Sequence, residues 1–150
     1  MIRANLPLAA PLLGLLLTAC QVGTDSAGGI PGDRNSHDGY DGIAAGETLR
    51  FLGTEPFWGG EVTGGALRYD TIDDPEGETF SVERFAGRGG LSFSGRFEGQ
   101  DFMMAVTPGE CSDGMSDRTY PFTITLQIGD DIRNGCGWTE RQPFSGPENP

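Results

Sequence analysis

Ten consecutive residues, Thr119 to Ile128, alternate without a fault: Tyr120, Phe122, Ile124, Leu126 and Ile128 are apolar, and Thr119, Pro121, Thr123, Thr125 and Gln127 fall between them. A period of two places one set on each face of a pleated strand, so one face is made for a core and the other for water. The period recurs in Leu91, Phe93 and Phe97, set against Ser92, Ser94, Arg96 and Glu98, with Gly95 interrupting the apolar row as at a bulge or a close backbone approach. Phe102, Met104 and Val106 line one face of the next segment, and 49–53, 60–62, 66–71 and 79–85 read as shorter strands. Turn residues punctuate them at Thr63-Gly64-Gly65, Asp73 to Gly77, Gly87 to Gly90, Glu98 to Asp101 and Gly129 to Asp131. Strands joined by loops this short pair antiparallel with their neighbours. No amphipathic helical period competes. The expected fold is all-β, a small antiparallel barrel or rolled sheet of about seven or eight strands, because closure removes the exposed edges of a flat sheet.

That β-domain is expected over 48–142, between two segments of different composition. The chain opens with Arg3, an apolar run from Leu6 to Leu17, and then Leu17-Thr18-Ala19-Cys20. The tetrapeptide resembles the lipobox of bacterial lipoprotein precursors, which implies a signal peptide over 1–19 and lipidation of Cys20. Pro7, Pro11 and Gly14 interrupt a stretch that is shorter than the roughly 20 apolar residues of a membrane span. Acyl chains contribute about 0.8 kcal/mol per buried methylene, so several on one cysteine hold a protein on a bilayer almost permanently. Gln21 in place of an aspartate implies, by the same resemblance, sorting to the outer membrane on its periplasmic side. From Cys20 to residue 47 the chain is rich in Gly, Asp and Ser and reads as a flexible tether with a reach of roughly 25–30 Å. It holds the single histidine, His37. A tail from Pro143 to Pro150 is expected to be unstructured.

Charge narrows the partners. The chain carries 22 Asp and Glu against 10 Arg and no Lys, a formal net charge of −12. Such a surface repels phosphate backbones, which excludes nucleic acid, and it draws in a basic partner. The acidic run Asp70, Asp73, Asp74, Glu76 and Glu78 could attract Ca²⁺, but its spacing is not that of an EF-hand loop, and a solvated turn is the expectation. No other metal site is indicated, since 48–142 contains no His, and no cofactor is called for.

With Cys20 taken by lipid, Cys111 and Cys136 remain, and an oxidising periplasm makes their disulfide the default. A redox pair would call for a Cys-x-x-Cys spacing, which is missing. Around these cysteines lies the most distinctive stretch, Cys111-Ser112-Asp113-Gly114-Met115-Ser116-Asp117-Arg118-Thr119-Tyr120-Pro121-Phe122, with Gly135-Cys136-Gly137 after it and Gly53-Thr54-Glu55-Pro56-Phe57-Trp58 far before it. Together these blocks resemble an uncharacterised family of bacterial envelope lipoproteins found beside META-type and lysozyme-inhibitor-like domains. The resemblance implies an envelope β-domain and brings no reaction with it, so it supplies no catalytic residue. On their own chemistry, Asp113, Ser116, Asp117 and Arg118 sit at the mouth of a disulfide loop, as turn and capping groups or as a ligand contact. Ser116 has no His or Lys nearby in sequence to activate it as a nucleophile. Trp58 and Trp138 plug the core or a barrel end, or form an aromatic contact surface for a glycan or protein. Trp58, Asp113, Ser116, Asp117 and Arg118 are therefore the candidate binding surface.

These features point to a lipid-anchored periplasmic β-domain with a non-enzymatic binding or envelope-maintenance role. Three alternatives stand beside it: an inhibitor of a cell-wall hydrolase such as lysozyme, a hydrolase working with carboxylates alone, and a barrel with an internal pocket for a small apolar ligand. The Ser-Gly-x-x-Tyr type of loop expected of membrane-bound lysozyme inhibitors is missing.

Overall fold

The computed structural model describes residues 38–147. The signal peptide, Cys20 and its lipidation, the tether up to His37 and the last three residues of the tail lie outside the described residues. Eight strands follow in chain order: β1 Leu49–Thr54, β2 Phe57–Thr63, β3 Ala66–Thr71, β4 Glu78–Ala86, β5 Leu91–Phe97, β6 Gln100–Cys111, β7 Tyr120–Ile128 and β8 Asp131–Thr139. Each pairs antiparallel with the next, and β8 returns to β1 through Leu49↔Thr139 and Leu52↔Cys136, which closes the barrel. There is no helix among the described residues. Of the barrel or rolled sheet that the period of two implies, the closed barrel is the one formed, and the disulfide expected from the cysteine inventory is present.

In β7 all five apolar residues of the alternation are buried, and between them Thr123, Thr125 and Gln127 are exposed. Gly95 marks a close approach: a Cβ there would lie 2.6 Å from the Ser81 carbonyl oxygen, and the register runs through it unbroken from Val82 to Phe102. The irregularity of the sheet lies in β6 instead, between Pro108 and Cys111. The β5–β6 hairpin turns on Glu98 and Gly99, both at positive φ (48° and 78°), the pair of conformations that matches strand twist in a two-residue turn.

One strand escaped the sequence reading. β8 has no apolar alternation, because its barrel-facing row is Asp131, Arg133, Gly135, Gly137 and Thr139, opposite Ile128, Leu126, Ile124 and Phe122 of β7. The glycines make room for neighbours: a Cβ at Gly135 would stand 2.1 Å from the Leu52 carbonyl oxygen, and one at Gly137 would stand 2.9 Å from Ile124 Cδ1. A row whose small residues are dictated by the partners' bulk carries no hydrophobic period of its own.

The expected domain limits also move. Residues 40–47, read as tether, pack on the barrel: Ile43 is 2% exposed within the core, and Tyr40 lies against it. Arg84 Nη2 donates to the Ile43 carbonyl at 2.8 Å, and Gln142 Nε2 to that of Gly42 at 2.8 Å. Burying one Ile contributes about 1.5–3 kcal/mol, enough to hold a short segment that has no period to advertise it. At the other end of the chain Phe144 and Ser145, read as tail, dock through Thr119 N to Ser145 O at 3.0 Å and the reciprocal bond at 2.9 Å. Trp138 belongs here: it meets Phe144 edge-on (5.8 Å between centroids) and Tyr120 at a tilt (5.5 Å), apart from the core cluster.

Candidate functional site

The cysteines are bonded, Cα to Cα 5.6 Å, joining the bulged end of β6 to β8 across β7. Residues 112–119 fold back from this bond as a flap whose Asp113 carbonyl accepts from Thr54 Oγ1 at 3.0 Å. Within the flap the Asp113 carboxylate is the organiser. Its Oδ1 accepts the amides of Met115 (3.0 Å) and Ser116 (2.8 Å), and its Oδ2 accepts the hydroxyls of Ser116 (2.7 Å) and Tyr120 (3.2 Å). Burial pushes the Asp113 carboxyl up, but the Ser116 amide and hydroxyl, the Met115 amide and the Tyr120 hydroxyl outweigh it and hold it at about 2. With its oxygens engaged and its proton gone at any ordinary pH, Asp113 is an internal cap, and Ser116 hydrogen-bonds to a carboxylate that serves the turn. Asp117 is exposed, whereas Arg118 turns to the docked tail, Nε donating to the Pro147 carbonyl at 2.9 Å with its guanidinium 4.5 Å above the Phe144 ring. The flap thus brings Asp113, Ser116 and Tyr120 together and sends Arg118 elsewhere.

Trp58 does not belong on a binding surface. It is 4% exposed inside the barrel, while its neighbour Phe57, 46% exposed, takes the outer face. The cause is the glycine at each side of the ring: a Cβ at Gly53 would fall 2.2 Å from Trp58 Nε1, and one at Gly135 would fall 2.9 Å from Cζ2. The indole N–H has no hydrogen-bond partner among the described residues.

From Trp58 an arc of rings runs to one end of the barrel. Trp58 meets Tyr69 at 6.2 Å between centroids, Tyr69 meets Phe97 edge-on at 5.2 Å, and Phe97 meets Phe80 at 5.2 Å. Tyr69 and Phe97 line a cavity of about 290 Å³ between the β3–β4, β5–β6 and β7–β8 turns, with Glu78, Glu98, Asp131 and Arg133 also on its wall. This mouth is where a barrel offers a ligand its concavity. Arg133 reaches in from β8: Nη1 donates to the Tyr69 hydroxyl at 2.5 Å, and Nε holds Asp131 Oδ2 at 2.7 Å. Burial raises the pKa of Tyr69, with Arg133 opposing, so the phenol keeps its hydrogen through the physiological range.

Of these mouth residues only Glu78 is marked in the sequence reading, as part of the acidic run, yet a signal for the others is there. In an up-and-down barrel alternate turns share an end, and residues 55–56, 70–78, 98–101 and 129–133 carry ten Asp and Glu with Arg133 as their one basic residue, while of the three turns at the other end 63–66 and 87–90 carry no acid and 112–119 carries Asp113 and Asp117. The acidic run Asp70 to Glu78 is one of these four turns and carries five of the ten acids. Its members are used locally, Asp70 pairing with Arg68 at 2.6 Å and Asp74 Oδ1 accepting from the Gly77 amide at 3.3 Å. Among the described residues no three His, Cys, Asp or Glu side chains gather as a metal-binding set.

Acid should loosen this structure. Beside Asp113, Glu47 sits at about 2, held there by Arg141 against burial, with Thr139 and the Ala44 amide assisting; Arg141 Nε donates to its Oε2 at 2.9 Å. Both carboxyls lie below their ordinary values of 3.8 and 4.5, so the stabilisation is whole above about pH 4.5 and is lost as pH falls towards 2. The thermal midpoint should therefore hold between pH 7 and 5 and drop below 4.5. Asp113→Asn should start roughly 5–10 °C lower at pH 7 and show a shallower acid limb. A variant with the wild-type midpoint at pH 7 would remove Asp113 as the flap's organiser.

No family model, curated protein or solved structure matches the chain.

Proposed function

We propose that the chain is an exported lipoprotein, anchored through Cys20 in the cell envelope and facing the periplasm, whose barrel binds a basic envelope partner without chemistry of its own. The observation that carries this reading is the polarity of the barrel: four acidic turns converge at one end, and the chain enters at the other, where Ile43 and Tyr40 are packed. A lipid at Cys20 would thus leave from the end away from the acidic mouth, and the mouth would face outward to a cationic surface. Charge of this kind speeds encounter and selects by sign.

The narrower second reading, inhibition of a cell-wall hydrolase such as lysozyme, is favoured by the same acidic end, since such hydrolases are basic. A carboxylate hydrolase draws less support. The most perturbed acids, Asp113 and Glu47, are held ionised, the opposite of what a general acid needs. An internal apolar pocket is poorly served too, because the barrel axis is filled by side chains such as Phe122, Leu126 and Met104, each 0% exposed.

The full chain in neutral detergent, titrated into a lysozyme turbidity assay and a binding assay, should bind at low salt and weaken at least tenfold between roughly 50 and 300 mM, as the Debye length contracts. Binding indifferent to salt, or to the sign of the partner's charge, would sink the proposal. Binding without inhibition would remove the second reading alone.

A further inference from the structure

The Tyr69 hydroxyl carries the mouth beyond a patch of charge. Tyr69 is 3% exposed and lines the cavity; its oxygen accepts from Arg133, and among the described residues nothing accepts its own hydrogen. That hydrogen is therefore open to an acceptor oxygen that enters the cavity. Around this donor the rim is anionic. Arg133 is already engaged by Asp131 at 2.7 Å, whereas Glu78 and Glu98 make no ion pair among the described residues. Phe97, beside Tyr69 at 5.2 Å, gives the floor an apolar, π-faced wall.

A deep donor ringed by carboxylates specifies the complementary arrangement in what it binds, an acceptor oxygen flanked by cations. We infer that the mouth receives a loop of the partner protein in which a backbone carbonyl lies between basic side chains. The carbonyl takes the Tyr69 hydrogen, and the flanking ammonium or guanidinium groups lie against Glu78 and Glu98. The cavity of about 290 Å³ is of the size of a loop tip rather than of a flat interface. Free metal ions and anionic glycans fit poorly, the first because no three ligating side chains converge among the described residues and the second because the rim repels them. This assignment rests on the basic-partner reading and adds to it where the partner docks and through which atoms.

The test uses the full chain in neutral detergent and two ligands, lysozyme and the capped peptide acetyl-Lys-Gly-Lys-amide, whose ends are uncharged. Amide shifts induced by the peptide should centre on Thr71, Gln100 and Gly129. The pair Glu78→Gln and Glu98→Gln should weaken both ligands by about tenfold or more, and Tyr69→Phe, which keeps the ring and all charges, by about three- to tenfold. The pair Glu83→Gln and Glu110→Gln removes the same charge from the outer wall and should change either by less than about twofold. Equal losses from the two pairs, or wild-type affinity in Tyr69→Phe, would overturn the inference. If lysozyme stays bound to a chain with the mouth altered, the site is wrong while the basic-partner reading stands. If lysozyme fails to bind the wild type at all, that reading loses its named partner, and the peptide shifts judge the mouth by themselves.

Discussion

Replacing both bonded cysteines, Cys111→Ser with Cys136→Ser, should lower the thermal midpoint by roughly 15–25 °C. The bond closes 25 residues of chain. In the chain-entropy model such a loop is worth about 3.5 kcal/mol, and each kcal/mol moves a domain of about 100 residues by about 4–8 °C. Two native-state effects add to this. Cys136 is 1% exposed, so the serine hydroxyl that replaces its sulfur is taken out of water. The flap also loses its covalent root, leaving the four hydrogen bonds of the Asp113 carboxylate, the Thr54 bond to the Asp113 carbonyl and the Thr119 and Arg118 bonds to the tail to hold residues 112–119 in place. Calorimetry of wild type and the double variant at pH 7 measures the difference, and a fall of less than about 5 °C would mean that the bond does little for the fold. Reduction of the wild type should reproduce most of the effect.

Gly135→Ala should be more damaging than its size suggests and should leave little folded protein at 25 °C. The added Cβ would stand 2.1 Å from the Leu52 carbonyl oxygen and 2.9 Å from Trp58 Cζ2. Neither can retreat. Leu52 is held in register by Cys136 on the seam that closes the barrel, and Trp58 is wedged against Gly53 on its other side. Overpacking a yielding core costs about 1–3 kcal/mol, and here the obstacle is backbone, so the cost lies at or beyond the top of that range. Any part that does fold should show a displaced Trp58, and with it Tyr69 at 6.2 Å, so near-ultraviolet dichroism and mouth amide shifts should change together. Gly109→Ala is the control, since its Cβ would meet nothing within 4 Å. Native dispersion of amide signals in Gly135→Ala would show that the seam can open to admit a methyl group.

Those two positions differ in how far they could be read from the chain. Cys111 and Cys136 were the only cysteines over 48–142, and pairing followed from inventory. Gly135 sits between an asparagine and a cysteine in a stretch with no period, and only its neighbours Leu52 and Trp58, some 80 residues away in sequence, explain it. The same divide runs through the flap. Asp113 with Gly114 reads as a turn, and its carboxylate accepts the amides of Met115 and Ser116, because an Asx turn is made within three residues; the capping expected of Asp117 with Arg118 is not what those two do, Asp117 being exposed and Arg118 turned to the tail. The destination of Arg118, over Phe144, depends on a tail whose docking no local rule announces.

What the amino-acid sequence determined by itself was everything with a short-range cause. The period of two set the strands and their buried faces in β7, β5 and most of β6, and the Gly-rich and Asp-rich breaks set the turns, so an all-β meander of about seven or eight strands followed. Tertiary structure decided what depends on registers between distant strands. It put Trp58 inside and Phe57 outside, since one residue of shift in β2 exchanges their faces. It recruited the aperiodic β8 by fitting its glycines to the bulk of β1 and β7. It drew Ile43 into the core from a segment of tether-like composition. It also gathered acids from three separate turns around Tyr69 and Arg133, because barrel closure brings alternate turns to one end, whereas along the chain those turns stand some 20 to 30 residues apart.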